Sequence, residues 1–168
     1  MKKISFFIWV LVCLATSCNE HRFIVDGEIK NAKDSVLYFE NIGLEEITCL
    51  DSVVLDADGN FSFSEPTVDA PEFYRLRIAD QIISLSIDSN EVVSIKGTYP
   101  EMATNYTVEG SDNCTRIKEL TLRQMDLRKR IEKVIADETL SSAAEDDSIM
   151  GIISNYKAAV CKDYIFKD

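Results

Sequence analysis

The sequence predicts a mainly β protein with α-helix: an antiparallel β-sandwich of about seven to eight strands, followed by a helical hairpin. Between residues 22 and 110, apolar and polar side chains alternate in short runs, with turn residues every 8–12 positions. After residue 112 the repeat changes to helical spacing. Alternation at period two indicates strands with one buried face, and frequent turns are typical of sandwiches and barrels. An apolar content of 46% is that of a folded chain.

The first part of the chain contains the runs that predict strands. Valine, isoleucine and aromatic residues, which favour strands, are frequent in them. In the fifth predicted strand, residues 72–79, we expect Phe73, Leu76 and Ile78 to face the core. We expect Tyr74 to lie on the opposite side, with Arg75 and Arg77. The predicted strands cover residues 22–29, 35–40, 47–56, 60–64, 72–79, 82–88, 91–97 and 106–109.

Two polar segments between strands are predicted to be hairpin turns. Residues 56–60 (DADGN) begin like a calcium-binding loop. An EF-hand loop needs a glutamate at its twelfth position, and counted from Asp56 that position is Thr67. The flanking segments are also strands rather than helices. A hairpin turn therefore explains the segment better, because Gly59 can adopt a positive φ. Residues 88–91 are predicted to form a second hairpin turn.

The last part of the chain predicts two amphipathic helices joined by a short polar link. Residues 113–137 contain no glycine or proline, and Ser111 or Asp112 is placed to cap the first helix. A capping box at Ser142 and Glu145 is expected to begin the second. The apolar stripes consist of Ile117, Leu120, Leu127, Ile131 and Val134, and of Ile149, Ile153, Tyr156, Val160 and Tyr164.

Charge is unevenly distributed along the chain, whose net charge is −11. Residues 19–112 contain 6 basic and 19 acidic residues, whereas residues 113–135 contain seven basic and three acidic ones, a net +4. An acidic chain is a poor match for nucleic acid, which needs clustered basic side chains. We expect the basic helix to complement its acidic neighbours within the chain. The alternative is that it forms a docking surface for an acidic partner.

The first residues predict export and a lipid anchor. Met1-Lys2-Lys3 precedes an apolar run of eleven residues, which is too short to span a membrane and fits a signal peptide. Small residues then precede Cys18, as in bacterial lipoprotein signals. This predicts a signal peptide over residues 1–17, a sandwich domain over 18–111 and a helical stem over 112–168. Membrane attachment through lipid on Cys18 is expected, and ordinary secretion is the alternative.

The remaining chemistry-bearing residues predict no catalytic or metal site. A single histidine argues against histidine-based metal sites and Ser-His catalysis. Cys49, Cys114 and Cys161 are far apart, odd in number and not arranged as C-x-x-C. Two interpretations remain: two of these cysteines form a disulfide, or each of the three is a small apolar residue of the fold. We expect no cofactor, no metal and no enzymatic activity.

Motifs spread through the chain resemble a known family. They begin with FIVDG at residues 23–27 and SVLYFE at 35–40, and continue with LDSVVLDADGNFSF at 50–63, FYRLRI at 73–78 and VEGS at 108–111. Together with the signal they resemble the uncharacterised N-terminal β domain of Bacteroidota-type envelope lipoproteins. In that family a helical linker and a thioredoxin-like domain usually follow, and the resemblance implies a redox Cys-x-x-Cys located beyond Asp168. No family catalytic residue has a counterpart in residues 1–168.

Two functional hypotheses follow from this resemblance and from the residues. The first is a lipid-anchored, non-catalytic accessory or interaction module of the cell envelope, on the periplasmic side or at the outer membrane. It would bind a protein partner through the helical hairpin or a sheet edge, and it would not bind nucleic acid. The alternative is the N-terminal part of a truncated thioredoxin-like thiol–disulfide oxidoreductase lipoprotein.

Overall fold

A computed structural model describes residues 21–67 and 69–165 and confirms the predicted fold class. Eight strands form two four-stranded sheets, and two helices follow them. The strands are β1 (Arg22–Lys30), β2 (Val36–Ile42), β3 (Ile47–Val54), β4 (Asn60–Pro66), β5 (Glu72–Ile78), β6 (Gln81–Ile87), β7 (Val92–Thr98) and β8 (Tyr106–Glu109). The helices are α1 (Asp112–Ile135) and α2 (Ser142–Val160), and the short π-helical turn Cys161–Ile165 continues α2. The division into domains stays a prediction.

Each sheet combines strands from both halves of the β region. The first sheet has the order β4-β1-β7-β8 and the second the order β3-β2-β5-β6. Neighbouring strands are antiparallel except β1 and β7, which are parallel, with Gly27 opposite Ile95. A Cβ on Gly27 would collide with the Ile95 carbonyl, and its φ of 147° also favours glycine. Glycine therefore permits the close approach of these two strands.

The two predicted hairpin turns are wrong in one respect, because both segments cross between the sheets. β3 and β4 belong to different sheets, as do β6 and β7. In the first crossing the Asp56 carboxylate accepts hydrogen bonds from the amides of Asp58 and Gly59, both at 2.9 Å. Gly59 has the predicted positive φ, 74°. Alternation and turn residues indicate where a strand ends but not which sheet receives the next strand.

The core lies between the two sheets and is rich in aromatic rings. Tyr74 is 2% exposed and stacks on Phe39 with ring centroids 5.4 Å apart, whereas Phe73 is 50% exposed. The predicted orientation of these two residues is therefore wrong. Strict alternation puts Tyr74 on the same side as Leu76 and Ile78. The inward face of β6 is formed by Ile83, Leu85 and Ile87, all of which are fully buried.

The helices begin at serine caps. Ser111 caps α1, as one of the two predicted alternatives, and its hydroxyl accepts from the Cys114 amide at 3.2 Å. The capping box predicted at Ser142 and Glu145 is not formed, because Ser141 caps α2 one residue earlier and accepts from the Ala144 amide. The two adjacent serines are chemically equivalent caps, and the polar link selects the first.

Candidate interaction surface

The first turn of α1 attaches the helical hairpin to the sandwich. Cys114 is fully buried, and its thiol donates to the Ser86 carbonyl of β6 at 3.3 Å. Beside it, the Asn113 side chain donates to the Asp88 carboxylate at 2.8 Å. α1 also contacts β8, the edge strand of the other sheet. The start of the helix therefore covers adjoining edges of both sheets.

Beyond that turn, the apolar side of the hairpin is only half-buried. Cys114 is the one buried residue of α1, and no described residue of α2 or of the π-helical turn is buried. All ten residues of the two predicted stripes are half-buried. Two helices that pack mainly along each other cannot enclose both stripes, so apolar surface remains accessible along the seam.

A cluster at the base of the hairpin fixes the end of α2 against α1. Arg123 forms an ion pair with Asp163 at 2.7 Å, and its guanidinium lies 5.3 Å from the centre of the Tyr164 ring. The Tyr164 hydroxyl donates to the Glu119 carboxylate at 2.8 Å. Partial desolvation, followed by this bond, raises the pKa of Tyr164. The described chain thus returns to the end of α1 nearest the sandwich.

One stripe of α1 lines three adjoining depressions, which together we call the trough. The depression nearest the sandwich has a volume of about 730 Å³, the middle one 680 Å³ and the outer one 460 Å³. Neighbouring depressions share lining residues, so the surface is continuous. The residues that α1 contributes are Asp112, Asn113, Thr115, Arg116, Glu119, Leu122, Arg123, Asp126, Leu127 and Arg130, and all except Asn113 follow helical spacing along one stripe.

The chemistry of the trough changes along its length. Near the sandwich it is acidic, since Asp88, Glu91 and Glu109 contribute to its wall. The outer depression is more apolar, because side chains such as Leu122 and Tyr156 form its floor. Asp126 and Arg130 also line this outer part, and within the described ranges neither makes an ion pair. The outer trough is therefore an apolar groove that carries uncompensated charges.

A second candidate surface is the outer face of the β3-β2-β5-β6 sheet, where Glu40 is held by two arginines. Glu40 is 5% exposed, and its carboxylate accepts from Arg75 Nε at 2.6 Å and from a terminal Arg77 nitrogen at 2.7 Å. The Arg77 guanidinium also lies 4.5 Å from the centre of the Tyr38 ring. Cross-strand register places these groups together, because Glu40 pairs with Arg75 and Tyr38 with Arg77.

In this cluster the negative charge of Glu40 is balanced by the positive charges of Arg75 and Arg77. Hydrogen bonds from Arg77 and Arg75 lower the pKa of Glu40, although burial opposes them. The same carboxylate raises the pKa of Arg77. The sequence predicts both arginines on the face opposite the core, but it does not by itself identify Glu40 as their partner. Alternation along β2 would have placed Glu40 on that same face. The cluster stabilises the sheet and has the chemistry of a structural network.

Strand β3 is the exposed edge of the same sheet. Among the described strands it pairs only with β2, and all its residues except Val53 are exposed. A β-bulge lies opposite Phe39 and Glu40, where Asp51 and Cys49 are the paired residues. Unpaired backbone groups at an edge can accept another strand, and bulges limit such pairing. The sheet edge predicted as an alternative partner surface is thus present at β3.

The predicted site residues are dispersed. Cys18 lies outside the described residues. Cys49 is exposed on β3, Cys114 is buried at the start of α1, and Cys161 is half-buried after α2, all three with free thiols. Burial raises the pKa of the Cys114 thiol. Among the described residues no three His, Cys, Asp or Glu side chains are grouped to hold a metal ion. None of the described helices has the length and hydropathy to cross a membrane.

Comparison with known proteins identifies the family. The family profile "Domain of unknown function (DUF4369)" matches residues 23–115, more than half of the chain. The chain belongs to the DUF4369 family. The DUF4369 match covers the eight strands and the first turn of α1. A comparison with curated proteins gives no match.

Several solved structures are similar to this chain, and one of them illustrates how distant the similarity is. A chain described as "Crystal structure of (S)-allantoin synthase" aligns with a TM-score of 0.38 and 8% sequence identity. The alignment covers 55% of this chain and 45% of that chain. The present chain therefore spans less than half of that structure.

Proposed function

We propose that this DUF4369 protein is a lipid-anchored protein of the cell envelope, attached through Cys18, and that it acts as a non-catalytic interaction module. The observation that carries the proposal is the half-buried apolar side of the helical hairpin, with its continuous trough. Apolar surface left accessible beside charged side chains is typical of protein interaction sites. The sandwich holds this hairpin through the buried first turn of α1.

The lipid anchor is supported by the sequence around Cys18. An apolar core of eleven residues after Lys2-Lys3 and small residues before the cysteine are the features that lipoprotein processing requires. Two or three acyl chains hold a protein on a membrane, at about 0.8 kcal/mol for each buried CH₂ group. A chain tethered in this way would present its hairpin at the membrane surface.

Incorporation of labelled fatty acid tests the anchor. We expect the full chain to take up label in a Bacteroidota-type host and a Cys18→Ser variant to take up none. Cys49→Ser is the matched control, because Cys49 is an exposed cysteine of the same chain. Label retained by Cys18→Ser would contradict the lipid anchor, and membrane recovery of both variants would show whether attachment follows the label.

A second candidate is the N-terminal part of a thioredoxin-like thiol–disulfide oxidoreductase lipoprotein. The observation that favours it is the position of the last described residues, where Tyr164 bonds Glu119 in the half of α1 nearer the sandwich. A following domain would start beside that half of α1 rather than at the far tip of the hairpin. An in-frame coding segment with Cys-x-x-Cys directly after the codon for Asp168 would support this candidate. Reduction of insulin by the 168-residue chain itself would contradict the non-catalytic role.

A further inference from the structure

We propose that the trough is a self-association surface, in which the α1 helices of two copies of this chain pack antiparallel across a twofold axis. This inference deepens the proposed interaction module and rests on it, by naming a second copy of the chain as the partner. It starts from the six α1 residues, of the nine that line the middle and outer trough, that lie from Glu119 onward. They are Glu119, Leu122, Arg123, Asp126, Leu127 and Arg130.

When two copies of α1 lie antiparallel, these six residues of one copy are complementary in charge and polarity to the same six residues of the other. With the twofold axis between Arg123 and Asp126, Glu119 faces Arg130 of the second copy. In the same register Leu122 faces Leu127, and Arg123 faces Asp126. Within this set of six, every acidic residue then meets a basic one and each leucine meets a leucine, whereas Arg116, nearer the sandwich, would face Lys133. A twofold contact uses the same surface on both copies, so it requires this kind of self-complementarity.

The structure leaves the charges of the outer trough available for such a contact. Asp126 and Arg130 are exposed, and within the described residues no ion pair joins them to each other or to a third side chain. Arg123 and Glu119, by contrast, hold the end of α2 through Asp163 and Tyr164. They are thus fixed in place before a second copy arrives, which reduces the entropy lost on binding.

The apolar part of the trough lies between the two helices of the hairpin. Leu122 and Leu127 of α1 lie opposite Tyr156, Ala159 and Val160 of α2, around a groove of about 460 Å³. An α1 helix of the second copy in this groove would bury its own leucines between both helices, as amphipathic helices do in grooves. The dimer would then contain four packed helices. Their core would be the apolar surface between α1 and α2 that is half-buried in a single chain.

Sedimentation equilibrium of the full chain in a density-matched non-ionic detergent tests the dimer. Arg130→Glu places like charges at two symmetry-related positions, so we expect the dimer to weaken by about tenfold or more. Arg128→Glu is the control, because Arg128 lies on the same helix, is 82% exposed and does not line the trough. This control should leave the dissociation constant unchanged within about threefold.

A charge swap provides the decisive variant. Glu119→Arg combined with Arg130→Glu reverses both members of each proposed pair, so we expect it to dimerise more tightly than Arg130→Glu alone. Tyr164→Phe is its control, because it removes the bond from Tyr164 to Glu119 without changing a charge. The two positions are eleven residues apart on one helix, about 16 Å, so they cannot compensate each other within a single copy. Ala159→Arg, at an exposed position inside the groove, should block association without disturbing the fold.

The results separate this inference from the proposed function. A monomeric full chain at all concentrations, equal effects of Arg128→Glu and Arg130→Glu, or a charge swap that dimerises no more tightly than Arg130→Glu alone would each overturn the second copy as partner. A different protein found in the trough would also overturn it, while the interaction module would stand. Loss of fatty-acid labelling bears on the anchor alone, and a dimer that lacked lipid would still support the inference.

Discussion

Neutralising Glu40 tests the role of the ion cluster on the outer face of the second sheet. Glu40→Gln keeps the size of the side chain but removes the charge that Arg75 and Arg77 contact at 2.6 and 2.7 Å. The glutamine NH₂ group would also face guanidinium donors, which cannot accept its hydrogen bonds. The two arginine side chains are 19% and 27% exposed, so water can solvate them again in part.

The expected magnitude follows from these contacts. A hydrogen bond to a charged group contributes about 1.5–3 kcal/mol, and breaking a buried pair costs about 3–5 kcal/mol. Partial solvation of the arginines lowers the second figure, so we expect Glu40→Gln to reduce the free energy of unfolding by roughly 2–3 kcal/mol. For a chain of this length that corresponds to a fall in Tm of roughly 5–10 °C.

The pH dependence gives the prediction a sign. The pKa of Glu40 is lowered in the folded protein from an ordinary value of 4.5, so the ionised carboxylate stabilises the fold above that pH. This contribution is lost as the pH falls below 4.5 and through the lowered folded value. The difference in unfolding free energy between wild type and Glu40→Gln should therefore be full at neutral pH and shrink in acid.

Urea unfolding followed by circular dichroism at several pH values measures this difference. Glu46→Gln is a suitable control, because Glu46 is an exposed glutamate in the loop before β3. We expect the control to match wild type throughout. The reasoning would be refuted by equal stability of Glu40→Gln and wild type at neutral pH, or by a difference that persists unchanged in acid.

Three further predictions follow from thiol burial, helix capping and glycine geometry. In the folded chain a maleimide should label exposed Cys49 much faster than buried Cys114, and equal labelling times by mass spectrometry would contradict the described core. Ser111→Ala should cost about 1 kcal/mol in thermal unfolding through loss of the α1 cap, and an unchanged Tm would count against it. Gly27→Ala should cost at least about 2 kcal/mol by chemical denaturation, whereas Gly151→Ala, in an open helical position, should stabilise by about 0.5–1 kcal/mol.

Most strands were predictable because they bury one face, and β3, which is exposed along almost its whole length, is the exception. A strand between a core and solvent must alternate, and this pattern appears in any short window of sequence. The connections were not predictable in the same way: residues 56–60 have turn chemistry, but the choice between a hairpin and a crossing depends on sheet pairing far along the chain. The predicted orientation of Phe73 and Tyr74 was wrong for a different reason, because it departed from the strict alternation that Leu76 and Ile78 set for β5.

The candidate surface was predictable only in outline. The stripes of α1 and α2 indicated a hairpin, and the excess of basic residues on α1 indicated a charged face. Which side of the hairpin stays accessible depends on where α1 meets the sandwich, and that is decided by the burial of Cys114 against Ser86. The charges of Asp126 and Arg130 became informative only when the structure placed them in one groove with the leucines.

The hairpin is a better partner surface than the β3 edge, for a physical reason. Strand addition requires a regular row of backbone groups, and the β-bulge beside Cys49 interrupts that row in the middle of β3. Asp51 adds a charge at the same place. The trough has no such interruption, since its α1 residues follow one continuous helix. Substitutions of the α1 residues that line the trough should therefore affect association, and substitutions on the outer edge of β3 should not.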